Sequence, residues 1–213
     1  MTSPEPVPLV VLAEGPNHAP VEIYAGVTEV QGPPAETVGL LERLAAVTPN
    51  ALPSLSWAPS WQPGADPIAY RRQRTYVPAA APLTDTDEAL TVRDWLNLAA
   101  ALWGGAAAGV IEAEQSRWGL QRVARRRLGT LSPGWQQRVR LATSLVPHPR
   151  LWIVDDPAQH LDHEGRLSLE AVVAGRDAGW CPVATVVALR VPLMLPDRRV
   201  LRWTDNRWQM AEP

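Results

Sequence analysis

The strongest constraint in this chain of 213 residues is one short run, Leu151-Trp152-Ile153-Val154, closed by Asp155-Asp156-Pro157. Four consecutive apolar residues without polar alternation suit a strand buried on both faces of a parallel sheet. Parallel strands need crossover connections, and the flanking segments read as helices. Ser132 to Leu145 is one, with Ser132 as a natural N-cap and Pro133 as a natural first helical residue. Glu164 to Ala174 is another, and Val183 to Leu189 is a second buried strand. Strands alternating with helices give the α/β class with a mainly parallel central sheet.

The remaining segments fit around that sheet. Val7 to Leu12, Val21 to Ile23 and Val27 to Val30 read as short N-terminal strands between turn residues. Glu36 to Val47 places Val38, Leu41, Leu44 and Ala45 at helical spacing, giving strand, tight loop, helix. Pro49 to Pro67 reads as loops with one strand near Leu55 to Trp57, and Arg74 to Val77 as a strand stopped by Pro78. Helices are expected over Thr91 to Trp103, capped by Asp87 or Thr91, and over Glu112 to Arg127, whose basic end suits the helix dipole. Val200 to Met210 reads as a closing hairpin turning at Asp205-Asn206. No internal repeat or linker stands out, so residues 1–213 are expected to form one domain with a helical subdomain at about 85–147.

Composition removes several functional classes. A net charge of −2 gives no basic surface for nucleic acid as a main partner. Cys181 is the only cysteine, which excludes an intrachain disulfide framework and suits a small buried side chain in a reducing compartment. Met1 to Pro8 lacks the pattern of a secretory leader, and the apolar run Leu98 to Ile111 is too short to span a bilayer. A cytoplasmic location is expected, with any membrane role through a partner. All 20 basic residues are arginine, so chemistry that needs a lysine ammonium is closed to this chain.

Two segments carry the chemistry. Leu131-Ser132-Pro133-Gly134-Trp135-Gln136-Gln137-Arg138-Val139 opens a helix, whose N-terminus offers unpaired N–H groups and partial positive charge. Ser132 and Gly134 there let an anion approach closely. Asp155 and Asp156 end a buried strand, where open α/β sheets bind ligands and where a carboxylate commonly holds Mg²⁺. Taken singly, each segment also reads as a well-capped helix or a polar strand end.

Together, in this order, they resemble the ABC ATPase family. Leu131 to Gly134 is similar to the signature motif LSGGQ, with Pro133 and Trp135 as departures. Val154-Asp155-Asp156-Pro157 is similar to the Walker B segment, and Leu161-Asp162 to the D-loop. Ala69 to Pro78 resembles the lead into the Q-loop, and Leu90 to Leu96 the start of the helical subdomain. The style is similar to haem-exporter and drug-exporter ATP-binding subunits. The resemblance implies a P-loop NTPase-like ABC ATPase domain with N-terminal antiparallel strands, a mainly parallel sheet and a helical subdomain.

The departures carry as much information. Against the family phosphate loop GxxGxGK[ST], the segment Gly32 to Leu41 keeps only Gly32. Val38 falls at the lysine and Gly39 at the Mg²⁺-binding hydroxyl, while Glu36 adds a negative charge and Pro33 and Pro34 supply no N–H. Ala79 stands at the Q-loop glutamine, Asp156 at the catalytic glutamate and Arg190 at the switch histidine. His148, His160 and His163 fall on loops and read as exposed polar residues.

In the family, two such domains pair head to tail, and each nucleotide lies between one phosphate loop and the partner's signature helix. The resemblance therefore implies a degenerate subunit that pairs with an intact ABC ATPase. Ser132 and Gly134 would act in trans, Asp155 would meet Mg²⁺ only if the metal binds, and Asp162 would serve as the D-loop acid. ATP and Mg²⁺ are expected at the dimer interface, held mainly by the partner, with none expected in the isolated chain. Membrane permease subunits are the further expected partners, placing the chain peripherally at the inner face of the membrane. The alternative expectation is an ABC-like scaffold or regulatory pseudoenzyme that does not touch nucleotide.

Overall fold

The computed structural model describes residues 8–13, 19–47, 55–57, 73–79, 81–106, 109–175, 180–195 and 197–211. Val7, most of the Pro49 to Pro67 segment and Ala69 to Arg72, on which expectations were placed, lie outside the described residues. Among these residues nine strands form two sheets. β1 (Val10–Leu12), β2 (Val21–Ile23) and β4 (Leu55–Trp57) make a small antiparallel sheet in the order β2-β1-β4. β3 (Gly26–Gln31), β5 (Arg74–Val77), β6 (Leu151–Asp155), β7 (Ala184–Ala188), β8 (Arg198–Thr204) and β9 (Arg207–Met210) make the larger sheet. Its order is β5-β6-β7-β3-β8-β9, parallel throughout except for the closing β8–β9 hairpin.

The apolar run that anchored the sequence reading is the buried centre of this sheet. Every residue of β6 and of β7 is buried, as a strand covered on both faces requires. Alternate side chains feed two cores. Trp152 and Val154 join Val187 and the helices of one face. Leu151 and Ile153 join Val186, Leu201 and the helix α1 (Pro34–Leu44) on the other, together with Val10, Leu12 and Ile23 of the small sheet. The β8–β9 turn places Asp205 and Asn206 at φ 51° and 59°, a left-handed pair that Asp and Asn tolerate, so the expected hairpin forms at the expected residues.

Between β5 and β6 the chain forms helices. α2 (Asp85–Ala89) opens with a capping box between Thr84 and Asp87. α3 (Val92–Leu102) is capped by Thr91, whose hydroxyl accepts from the Asp94 N–H at 3.2 Å. α4 is Val110–Arg117, α5 is Pro133–Leu145, and α6 is His163–Val173, which connects β6 to β7. The expected continuous helix from Glu112 to Arg127 does not form. Gly119 takes φ 66°, and two 3₁₀ turns follow at Leu120–Val123 and Leu128–Thr130. The Ala124 and Arg126 carbonyls instead accept from the Arg93 and Val92 N–H groups at 3.0 and 3.1 Å. Long-range pairing with the start of α3 thus replaces the helix ladder, and the arginines there do not decorate a helix C-terminus.

α1 begins at Pro34, earlier than expected, because Pro33 and Pro34 both set φ near the helical value. Val38 is half-buried, and the inward positions are Thr37, Leu40, Leu41 and Leu44. Leu141 on α5 is fully buried in the helical-face core, whereas Leu102 at the end of α3 is 76% exposed. Leu141→Ala should therefore cost about 2–5 kcal/mol in urea unfolding, and Leu102→Ala should stay within about 0.5 kcal/mol of wild type.

Candidate functional site

The C-terminal ends of β3, β6 and β7 open on a cavity of about 330 Å³, where open α/β sheets receive ligands. Glu29, Gly32, Thr37, Val38, Asp155 and Arg190 are among its lining residues. The connection from β3 to α1 is two residues, Gly32 and Pro33, where the family loop would need a longer turn. Gly32 has a packing cause of its own: a Cβ there would stand 2.8 Å from the Trp208 ring and 2.9 Å from Trp203 Cβ, on the closing hairpin. Val38 and Gly39 fall in the second turn of α1, and a Cβ on Gly39 would meet nothing within 4 Å.

Because α1 starts at Pro34, the hydroxyl that reaches the cavity wall is that of Thr37. Thr37 is 7% exposed, and its Oγ1 has no hydrogen-bond partner. No sequence pattern singles out Thr37 by itself. The proline pair was the signal that would have moved the helix start and with it the register.

Asp155 and Asp156 diverge. The Asp155 carboxyl lines the cavity, and burial pushes it above the usual range, opposed by the Arg190 charge and by a hydrogen bond from the Ala79 N–H. Burial, with Asp155 and Glu42 adding negative charge, pushes the Tyr76 phenol up to about 12. Asp156 turns away. It takes φ 46°, its N–H donates to the Ala188 carbonyl, and its carboxylate accepts from the Arg190 N–H at 3.2 Å with the guanidinium at 4.0 Å. Ala79 and Arg190 therefore both serve this acidic strand end.

A second cavity of about 300 Å³ lies at the head of α5, lined by Ser132, Gly134, Trp135, Arg138, His160 and Asp162. Ser132 stands at the N-cap with φ −65° and ψ 157°, and its carbonyl accepts from the Gln136 N–H at 3.0 Å. Its side chain makes no cap bond, contrary to expectation; the exposed hydroxyl is left to the cavity side. Pro34 and Pro133 each stand at the first helical position, where the N–H has no partner within the helix in any case. Gly134 is fixed from within, since a Cβ would lie 2.6 Å from the His160 carbonyl oxygen. His160 itself takes φ 63° and is exposed, as is His163 at the start of α6. His148 differs from expectation: it is half-buried, stacked on Trp180 at 4.4 Å, with its pKa held down by burial and by Arg117.

Arg138 organises this second cluster. It is 3% exposed, donates to the Trp118 carbonyl at 3.1 Å and to the Asp162 carboxylate, and stacks 4.7 Å over the Trp135 ring. Asp162 also accepts from the Gly165 N–H at 2.9 Å and so caps α6. That hydrogen bond and Arg138 hold the Asp162 carboxyl below the usual range. Gln137 donates to the Pro157 carbonyl at 3.2 Å, tying α5 to the segment after β6. Ser132, Gly134 and Asp162 are thus brought together, and Asp155 with Gly32 and Val38 forms a separate group.

These causes separate two neighbouring residues. Gly134→Ala should lower stability by about 1–3 kcal/mol, because backbone cannot yield to the added methyl as a side chain would. Ser132→Ala should stay within about 0.5 kcal/mol of wild type, since no cap bond is lost. Thermal melting of the two purified variants measures both.

The model of the ABC transporter family matches residues 61–159. The chain is 32% identical over 164 residues to the cytochrome c biogenesis ATP-binding export protein CcmA of Cupriavidus pinatubonensis, covering 75% of this chain and 71% of that protein. It is 35% identical over 98 residues to the zinc import ATP-binding protein ZnuC of Paracoccus denitrificans, covering 46% of this chain and 34% of that one. The structure of an ATP-binding subunit of an ABC transporter superposes with a TM-score of 0.68 at 18% identity, over 94% of this chain and 88% of that one, and shares the fold. No helix among the described residues is long and apolar enough to cross a membrane. With the signature segment on α5, the acidic end of β6 and Asp162 in these relative positions, the chain belongs to the ABC transporter ATP-binding family.

Proposed function

We propose that this chain is a degenerate nucleotide-binding subunit that pairs with an intact ABC ATPase and completes the partner's site in trans, while its own site is inactive. The observation that carries this reading is Ser132. Its hydroxyl sits at the head of an 13-residue helix, exposed and unused by that helix. A donor left open at a helix N-terminus is suited to a phosphate approaching from outside the chain. Asp162 and Gly134 stand beside it on a braced scaffold, lining the same cavity.

The cavity at the end of β6 is poorly suited to a nucleotide triphosphate. A phosphate cradle needs converging N–H groups and a cation on the β/γ-phosphates. Here Pro33 and Pro34 offer no N–H, and no lysine exists in the chain. Glu29 and Asp155 both line the cavity, and Glu36 stands exposed in the first turn of α1. Arg190 is the one basic side chain among its described lining residues, and it is engaged with Asp156. These residues do not fit a nucleotide triphosphate.

In the partner's site this chain's part is limited and specific. Ser132 donates a hydrogen bond, Gly134 contributes an N–H on the first turn of α5, and Arg138 holds Asp162 and the signature segment in one unit. Membrane permease subunits are the further partners in this reading, which places the chain peripherally at the inner face of a membrane. A scaffold that never touches nucleotide is the second reading. It is favoured by the internal causes for Gly134 and Asp162, which a scaffold would also need.

Ser132→Asp separates the two readings. Aspartate is as good an N-cap as serine, so melting should stay near wild type. Its negative charge would face the partner's γ-phosphate, and loss of a transition-state donor alone can cost about 10²–10³ in rate. The ATPase of the reconstituted pair, with assembly checked by size-exclusion chromatography, should fall to background. Unchanged turnover in the assembled Ser132→Asp pair would reject the trans role and leave the scaffold.

A further inference from the structure

The segment between Gly119 and Leu131 carries four arginines and no acidic residue. Arg122, Arg125, Arg126 and Arg127 are all exposed, and Arg93 at the start of α3 is exposed beside them. Backbone bonds hold these two pieces together: Val92 N–H to the Arg126 carbonyl at 3.1 Å, Arg93 N–H to the Ala124 carbonyl at 3.0 Å, and Leu128 N–H to the Leu90 carbonyl at 2.9 Å. A bridge between Thr91 and Arg127 closes the set. The arginines are therefore displayed on a braced segment and not on a loose loop.

Little of this charge is neutralised within the chain. Arg122 lies 3.8 Å from Glu164, with both side chains largely exposed, and such a pair is weak. Arg126 donates to the Thr130 carbonyl at 2.7 Å. Arg93, Arg125 and Arg127 have no carboxylate within 4.0 Å among the described residues. Holding several like charges close together opposes folding, and a chain of net charge −2 has no general need of a basic face. We propose that this patch is a docking surface for an acidic segment of a protein partner.

Three features choose a peptide over other anions. Asp85 and Glu88 on α2 are exposed along the flank, and Glu88 packs so closely on Gly129 that a Cβ there would lie 2.9 Å from it. Asp94, exposed beside Arg93, is a further acid, so a broad anionic membrane plane would meet acids on both α2 and α3, whereas a short acidic segment can align along Arg125 to Arg127. None of the exposed large apolar residues falls between 119 and 130, so nothing there inserts into an acyl layer. No aromatic residue occurs in that span to stack on bases, as single-stranded nucleic acid binding requires. The proposal does not depend on the trans role of Ser132, and its test leaves that role untouched.

The test uses the purified chain and a fluorescent oligoglutamate peptide, read by anisotropy at low and at about 0.3 M salt. Binding should be measurable at low salt and weaken as salt rises. The triple variant Arg125→Gln, Arg126→Gln, Arg127→Gln should bind at least about tenfold more weakly. A control pair on the closing hairpin, Arg202→Gln with Arg207→Gln, should stay within about twofold of wild type. Should the triple variant melt early, Arg125→Glu with Arg127→Glu, which keeps the Arg126–Thr130 bond, decides by the same loss. Peptide binding indifferent to the patch variants, or no binding at low salt, would overturn the proposal. So would patch-dependent capture of phosphatidylcholine–phosphatidylglycerol vesicles or of oligothymidylate in preference to the peptide.

Discussion

The buried Arg138 guanidinium is the interaction on which the surviving motif geometry depends. From α5 it reaches back to the Trp118 carbonyl, forward to the Asp162 carboxylate and across the Trp135 ring. A buried arginine is tolerated when its donors find acceptors; the Trp118 carbonyl and the Asp162 carboxylate supply two, and the Trp135 ring covers the guanidinium face. The same residue fixes the order of the segments around it. One Asp162 oxygen, Oδ1, accepts both from Arg138 and from the Gly165 N–H that caps α6, and Gly134 must be glycine because the His160 carbonyl lies against α5. The head of α5, the segment after β6 and the start of α6 thus form one block.

That block changes what motif retention means. Glycine at 134 and aspartate at 162 are each explained by contacts within the chain, so their presence alone does not argue for a ligand. Ser132 has no such explanation. Its backbone does the work of an N-cap, and its hydroxyl bonds to nothing in the helix it opens. Of the three, Ser132 alone lacks a cause within the chain. Residues at the other cavity have such causes. Gly32 is held by Trp208 and Trp203, Asp156 is turned to Arg190, and the bend from β3 to α1 is short. Gly32 and Asp156 thus each have a packing or pairing cause within the chain.

Much of the fold was legible in the sequence because it rests on patterns of short range. The unbroken run at Leu151, the Thr91 cap and the Asp205-Asn206 turn each declare their structure locally, and each forms where expected. The failures occur where a distant partner decides. The arginine-rich stretch after Arg117 has helical composition, but Gly119 breaks it and the start of α3 captures its carbonyls. The Ser132 side chain looked like a cap because residue type and position both fit. Whether a hydroxyl turns inward is set by its rotamer and surroundings, which sequence does not carry. Thr37 was missed because the loop was read from its first glycine and not from the proline pair that starts α1.

The central claim is an asymmetric pair, with a nucleotide held by the partner's phosphate loop and closed by Ser132, and none held at the Asp155 cavity. The direct measurement is nucleotide stoichiometry. The reconstituted pair, its partner carrying a hydrolysis-blocking substitution, would be trapped with MgATP, separated from free nucleotide and assayed for bound ATP per heterodimer. The account predicts one ATP per pair, photo-crosslinked through the partner chain. Two ATP per pair, with label on this chain's α1 segment, would contradict it.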